Sequence, residues 1–129
     1  MGKPVERYER RAVLERVIDG DTQVFRIDLG HDIWVRRTVR LLGVDTPETR
    51  TRNEDEKRKG QAATRYARMW LDDAWVCAEN PDLPIILRSV VKSDKFGRTL
   101  ARVWRDDGHE LARDLIDSGH GVIYLGGSR

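Results

Sequence analysis

Apolar and polar residues alternate in the first third of the chain, and in the middle apolar residues recur every three or four positions. Residues 10–18 predict a strand, and Asp19-Gly20-Asp21 predicts the turn that ends it. Over 22–29, Val24 and Arg26 face one way and Phe25 and Ile27 the other, which is strand periodicity. Gly30-His31-Asp32 reverses the chain into a third strand over 33–44. That strand places Val35, Arg37, Val39 and Leu41 on one side and Arg36, Thr38, Arg40 and Leu42 on the other. Residues 49–59 are almost wholly polar and read as a mobile surface loop. From 60 to 74 the period changes: Ala63, Tyr66, Ala67, Trp70, Leu71 and Ala74 share one helical face. After the break at Asn80-Pro81-Asp82, residues 84–92 and 99–105 predict two more strands, split by Asp94-Lys95-Phe96-Gly97. Leu111, Leu115 and Ile116 mark a short amphipathic helix that ends at Gly119, and 122–125 form a last extended piece.

The order is three strands, a helix, two strands and a helix. Sequential strands with short turns favour antiparallel pairing. Five such strands with a helix between the third and fourth match the oligonucleotide/oligosaccharide-binding (OB-fold) barrel, an α+β, mainly β architecture. Closure removes the sheet edges that short strands otherwise expose.

The chain's 129 residues suit one domain spanning 1–129, with 1–8 a charged, frayed start. Charged residues make up 36% of the chain, yet the net charge is only +2, so this is not a polycation that coats nucleic acid. Its cations are 19 arginines against 5 lysines. That ratio suits bidentate contacts to phosphate, although a codon bias toward arginine explains it equally well. The single cysteine, Cys77, excludes an internal disulfide and reads as a small buried hydrophobe. His31, His109 and His120 lack zinc-ligand spacing. There is no apolar run of membrane-spanning length and no apolar leader. The expectation is a soluble monomer without a membrane partner, either cytoplasmic or secreted with its signal removed. Trp70, Trp75 and Trp104 are expected in or near the core, and Trp34 is left open.

Two pairs of carboxylates stand at predicted strand ends, Asp19/Asp21 and Asp45/Glu48, with Arg40 just upstream of the second. Phosphodiester hydrolysis needs neutralised phosphate charge, an aligned water and stabilisation of the five-coordinate state. Asp21, Asp45 and a carbonyl near Thr46 offer hard oxygen ligands suited to Ca²⁺ or a similar ion. Arg40 and Arg98 can donate paired hydrogen bonds to phosphate. Glu48 can orient or deprotonate a water. Lys95 can reach a neighbouring phosphate. Taken singly, each segment has an ordinary reading. Asp-Gly-Asp is a common turn, Asp45-Thr46-Pro47-Glu48 suits a helix entry, and 94–98 suits a hairpin connection. The charged stretch after Glu48 reads first as a solvated loop and second as an arm beside a substrate cleft.

Three segments, Val17-Ile-Asp19-Gly-Asp21-Thr22, Arg40-Leu-Leu-Gly-Val-Asp45-Thr46-Pro-Glu48 and Asp94-Lys95-Phe96-Gly97-Arg98, occur in an order that resembles the staphylococcal nuclease (thermonuclease) family over about residues 10–125. The resemblance implies a five-stranded barrel capped by two or three helices. It also implies a Ca²⁺-dependent nuclease acting on DNA and RNA, preferably single-stranded, with little sequence specificity and 3′-phosphate products. Carried over by position, Asp21, Asp45 and the Thr46 carbonyl would bind Ca²⁺, with Asp19 a supporting acid. Arg40 and Arg98 would stabilise the transition state, and Glu48 would be the general base. Lys95, Phe96 and Tyr124 would contact substrate. Phe96 replaces the tyrosine common in the family, and Tyr124 stands for at most one of a pair of base-contacting tyrosines. The connection before Arg40 is longer than in the founding member, and a third C-terminal helix is not expected. The alternative is a catalytically silent barrel that binds nucleic acid or protein, but such relatives typically lack these acids or arginines.

Overall fold

The computed structural model describes residues 6–90 and 93–125. The start of the expected frayed segment (1–5), the last two residues of the predicted 84–92 strand and the tail 126–129 lie outside the described residues. Strand β1 (Glu6–Asp19) is longer than the predicted 10–18. Its first half pairs with β5 (Ile85–Val90) and its second half with β2 (Thr22–Asp28). Register shifts between Leu14 and Arg16, and between Val17 and Asp19, bend it so that one strand serves two neighbours. With β3 (Trp34–Leu41) and β6 (Thr99–Trp104), these strands close a barrel in the order β1-β2-β3-β6-β5.

Two strand expectations need correction. Pairing is not antiparallel throughout, because β3 runs parallel to β6 where the barrel closes, from Val39↔Thr99 to Leu41↔Ala101. The long excursion between them, which includes a helix, allows that direction. The predicted third strand over 33–44 also breaks early. β3 ends at Leu41, Gly43 adopts φ +86°, and Val44–Asp45 form a separate short strand β4. β4 pairs with β7 (Val122–Ile123), giving a two-stranded ribbon beside the barrel.

Helix α1 (Glu54–Cys77) begins inside the stretch predicted as a loop. The Asn53 side chain caps it by accepting from the Glu56 N–H at 3.0 Å, and Glu54, Asp55 and Glu56 complement the positive end of the helix. Ala63, Ala67, Trp70, Leu71 and Ala74 form its buried face. Helix α2 (Leu111–Asp117) adds Leu111 and Leu115 to the core, which meets Phe25, Val39, Leu41, Ile85 and Val103 inside the barrel. Each large apolar side chain buried there contributes about 1.5–3 kcal/mol. Trp70 bridges the helices, its Nε1–H donating to Asp114 Oδ2 at 2.7 Å. The other tryptophans depart from expectation in part. Trp75 is 60% exposed on the last turn of α1, Trp104 is half-buried, and Trp34 is exposed on the barrel's outside under the Arg26 guanidinium. Cys77 is free and only partly buried. No helix among the described residues is long and apolar enough to cross a membrane.

Candidate nucleic-acid cleavage site

Alternation along β3 sends Val39 and Leu41 inward and turns Arg40 outward. Arg40 lies opposite Thr22 in the β2–β3 register, next to Asp21. The Asp21 carbonyl accepts from the Leu41 N–H at 2.9 Å, which ties the β1–β2 turn to the end of β3. The chain then turns through Gly43, and Arg40 holds that turn from outside. Its Nη1 donates to the carbonyls of Leu41 (2.9 Å) and Val44 (2.8 Å). Its Nη2 lies 3.2 Å from Asp45 Oδ1 and 3.6 Å from Asp21 Oδ2. One guanidinium nitrogen thus reaches both carboxylates, and all three side chains are mostly buried.

Asp21 is fixed further. Its Oδ1 accepts from the Thr22 hydroxyl at 3.0 Å, and its Oδ2 from the Thr46 N–H at 3.1 Å. Asp19 is tied to the next loop, accepting from the Thr49 hydroxyl at 2.7 Å. Gln23 Nε2 donates to the Gly20 and Asp19 carbonyls and stiffens the turn that carries both acids. Tyr124 follows β7; its N–H donates to the Gly43 carbonyl at 3.0 Å, and its ring lies 5.6 Å from the Arg40 guanidinium carbon.

Arg98 belongs to a second turn, just before β6. The Asp94 carboxylate accepts from the Phe96 N–H (2.9 Å), the Arg98 N–H (2.8 Å) and Arg98 Nε (2.6 Å). Burial pushes the Asp94 carboxyl up, but these donors outweigh it and hold its pKa below the ordinary 3.8. Arg40 pairs with Leu100 across the parallel seam, and Arg98 immediately precedes β6, so its turn adjoins the end of the seam where Val39 meets Thr99. Phe96 is 71% exposed, with Lys95 Nζ 5.1 Å and the Arg98 guanidinium carbon 5.2 Å from its ring centre.

Glu48 is exposed and lines an open cleft of about 580 Å³ with Asp45, Thr46, Pro47 and the first two turns of α1. The structure therefore gathers Asp21, Arg40, Asp45, Thr46 and Tyr124 at one point, sets Asp19 beside it, and holds Lys95, Phe96 and Arg98 on the neighbouring turn. Sequence reasoning missed several supports. The Thr22 and Thr49 hydroxyls anchor the acids. Asn53, Asp55, Glu56 and Lys59 are cleft wall and not loose loop. Gly60 lets α1 touch the Glu48 segment: a Cβ there would lie 2.6 Å from the Glu48 carbonyl oxygen and 2.7 Å from that of Pro47. The only visible signal was a glycine standing in a helical pattern.

Among the described residues, no group of three or more His, Cys, Asp or Glu side chains is arranged to hold a metal ion. The Asp21 and Asp45 carboxylates, both within 3.6 Å of one Arg40 nitrogen, are oxygen donors of the kind a hard cation takes.

The staphylococcal nuclease homologue family model matches residues 38–127, more than half of the chain. The chain belongs to that family. Among staphylococcal nuclease homologues, the thermonuclease of Staphylococcus intermedius is 40% identical over 95 residues, covering 74% of this chain and 49% of that protein. An uncharacterized protein of Methanocaldococcus jannaschii is 30% identical over 133 aligned residues, covering 93% of this chain and 61% of that one. Endonuclease YhcR of Bacillus subtilis is 26% identical over 127 residues, covering 95% of this chain but 10% of the larger protein. The chain thus spans only part of each of these relatives.

Proposed function

We propose that this protein is a nuclease that hydrolyses phosphodiester bonds of DNA and RNA, with Ca²⁺ as its cofactor and 3′-phosphate ends as products. The observation that carries this reading is the convergence of Asp21, Asp45 and Arg40 at the end of β3. Relatives named thermonuclease and endonuclease support it.

Asp21, Asp45 and the Thr46 carbonyl are the residues that would hold the ion, which when bound supplies positive charge to the phosphate and to a nearby water. Arg98 offers its guanidinium, and Arg40 the N–H groups not spent on the Leu41 and Val44 carbonyls, to the phosphoryl oxygens, where charge grows in the transition state. Glu48, exposed in the cleft, accepts the proton of the attacking water. Asp19 and Thr49 keep the Asp21 turn in place. Phe96 and Tyr124 offer ring faces to unstacked bases and Lys95 a charge to the adjoining phosphate, a sequence-tolerant arrangement that favours single strands.

A labelled oligonucleotide incubated with Ca²⁺, with Mg²⁺ or with EDTA, followed by end-group analysis, tests this. Cleavage of DNA and RNA with Ca²⁺, loss of cleavage in EDTA and 3′-phosphate ends are expected. Tight single-strand binding without cleavage under every metal condition would replace this reading with a silent binding module.

A further inference from the structure

Many guanidiniums of this chain are tied to a carboxylate, as in Arg11–Asp106, Arg36–Glu15, Arg88–Glu9 and Arg105–Asp107. Arg65 and Arg68 are not. Both are exposed on α1, and neither has an ion pair or hydrogen bond among the described residues, although Asp72 stands one turn beyond Arg68. Three residues apart on a helix, they share a face. That face borders an open hollow of about 420 Å³ between the end of β1 and α1, lined by Ile18, Thr49, Gln61, Thr64, Arg65 and Arg68.

The chemistry of the hollow is one-sided. Among the described residues, no carboxylate lines it. Its two hydroxyl protons are already given inward, Thr64 to the Gly60 carbonyl (2.9 Å) and Thr49 to Asp19 (2.7 Å). The donors left over are two guanidiniums and the Gln61 amide, which suits an anionic oxygen group. The hollow is open to solvent, which suits a group carried on something larger rather than a small free ligand. Thr49 also joins the hollow to the cleavage site. It lines the one and anchors Asp19 in the other, and it stands three residues after Thr46, an extended span of at most about 11 Å. A strand long enough to fill a barrel's usual site of about 4–16 nucleotides reaches both places.

We propose that the hollow is a second phosphate subsite for the same polynucleotide strand, in which Arg65 and Arg68 hold a backbone phosphate away from the bond being cut. This rests on the nuclease reading above, and its test separates the two. Binding of labelled oligothymidylates in EDTA is measured by fluorescence anisotropy, with one probe of about 12 nucleotides and one of about 3, for wild type, Arg65→Ala/Arg68→Ala and Arg65→Lys/Arg68→Lys. In the alanine pair, affinity for the long probe falls about tenfold and its log–log salt slope shrinks by about 0.7 for each phosphate that the protein no longer neutralises. Affinity for the short probe changes less than about twofold, and the lysine pair recovers most of the long-probe affinity because a point charge still attracts phosphate. Unchanged long-probe affinity and salt slope in the alanine pair, or an equal weakening on both probes, overturns the subsite while leaving the nuclease reading intact. A wild type that neither binds nor cuts any probe, with Ca²⁺ or without, removes the nuclease reading and the subsite with it.

Discussion

Replacing Arg40 by lysine keeps the charge and removes the fork. In the structure that fork reaches two carbonyls at 2.9 and 2.8 Å, Asp45 at 3.2 Å and Asp21 at 3.6 Å. An ammonium has three protons on one centre and cannot span the turn and both acids together. At least two charge-assisted hydrogen bonds go, each worth about 1.5–3 kcal/mol. The side chain is 12% exposed, so water recovers part of this, leaving a net loss of about 2–4 kcal/mol. Against a typical total of about 5–15 kcal/mol this is large. Urea unfolding followed by circular dichroism would show the midpoint falling by about 1–2 M with an unchanged slope. Adding Asp45→Asn should be non-additive, with a coupling above about 1 kcal/mol. Turnover, measured well below the melting temperature, should drop about 10²–10³-fold. A lysine variant within about 0.5 kcal/mol of wild type, with additive behaviour beside Asp45→Asn, would show that the guanidinium does not hold this turn.

Three further outcomes are expected. Glu48→Gln lowers kcat far more than it changes KM, and unaltered steady-state kinetics would take Glu48 out of the reaction. Gly60→Ala tests the close approach of α1 to the Pro47–Glu48 backbone: helix propensity alone would stabilise by about 1 kcal/mol, whereas the 2.6 Å clash should destabilise by about 1–3 kcal/mol and lower turnover by moving Glu48, so the sign of the melting shift decides. The Asp106 carboxyl is held below its ordinary pKa by the hydrogen bond from Arg11, against the effect of burial, and further by the Glu79 N–H. A depressed folded pKa stabilises fully above the unfolded value of about 3.9 and loses that stability as pH falls through the folded value, so Asp106→Asn should flatten the acid side of the stability curve below about pH 4 and leave its slope near neutrality unchanged.

Much of the barrel could be read from the chain because period-two alternation at Phe25, Ile27, Val39 and Leu41 reports directly which side is inside. The same rule failed where apolar letters conceal a turn: Leu42 looks like strand, yet the turn through Gly43 at φ +86° ends β3 there and Val44 opens a separate strand. The opening of α1 was missed because 54–59 carry no apolar period, although Asn53 followed by three acids is helix-start chemistry. Trp75 sits next to Ala74 in the sequence but about 100° around the helix from it, which takes it off the buried face. For the site, the residue types and their order were legible. Which atoms meet was not, because that depends on the Thr22↔Arg40 register, the Thr49–Asp19 bond and the close approach at Gly60, all set by tertiary structure.

The parallel seam has a kinetic consequence. Val39 and Thr99 are distant in sequence, and no local hairpin can bring them together. Arg40 and Arg98 stand on opposite banks of that join. An intermediate with its hairpins and helices formed but the seam still open keeps the two guanidiniums apart. On the proposed reading, in which Arg40 and Arg98 grip one phosphate, cleavage waits for this long-range closure, which joins residues 60 apart in sequence.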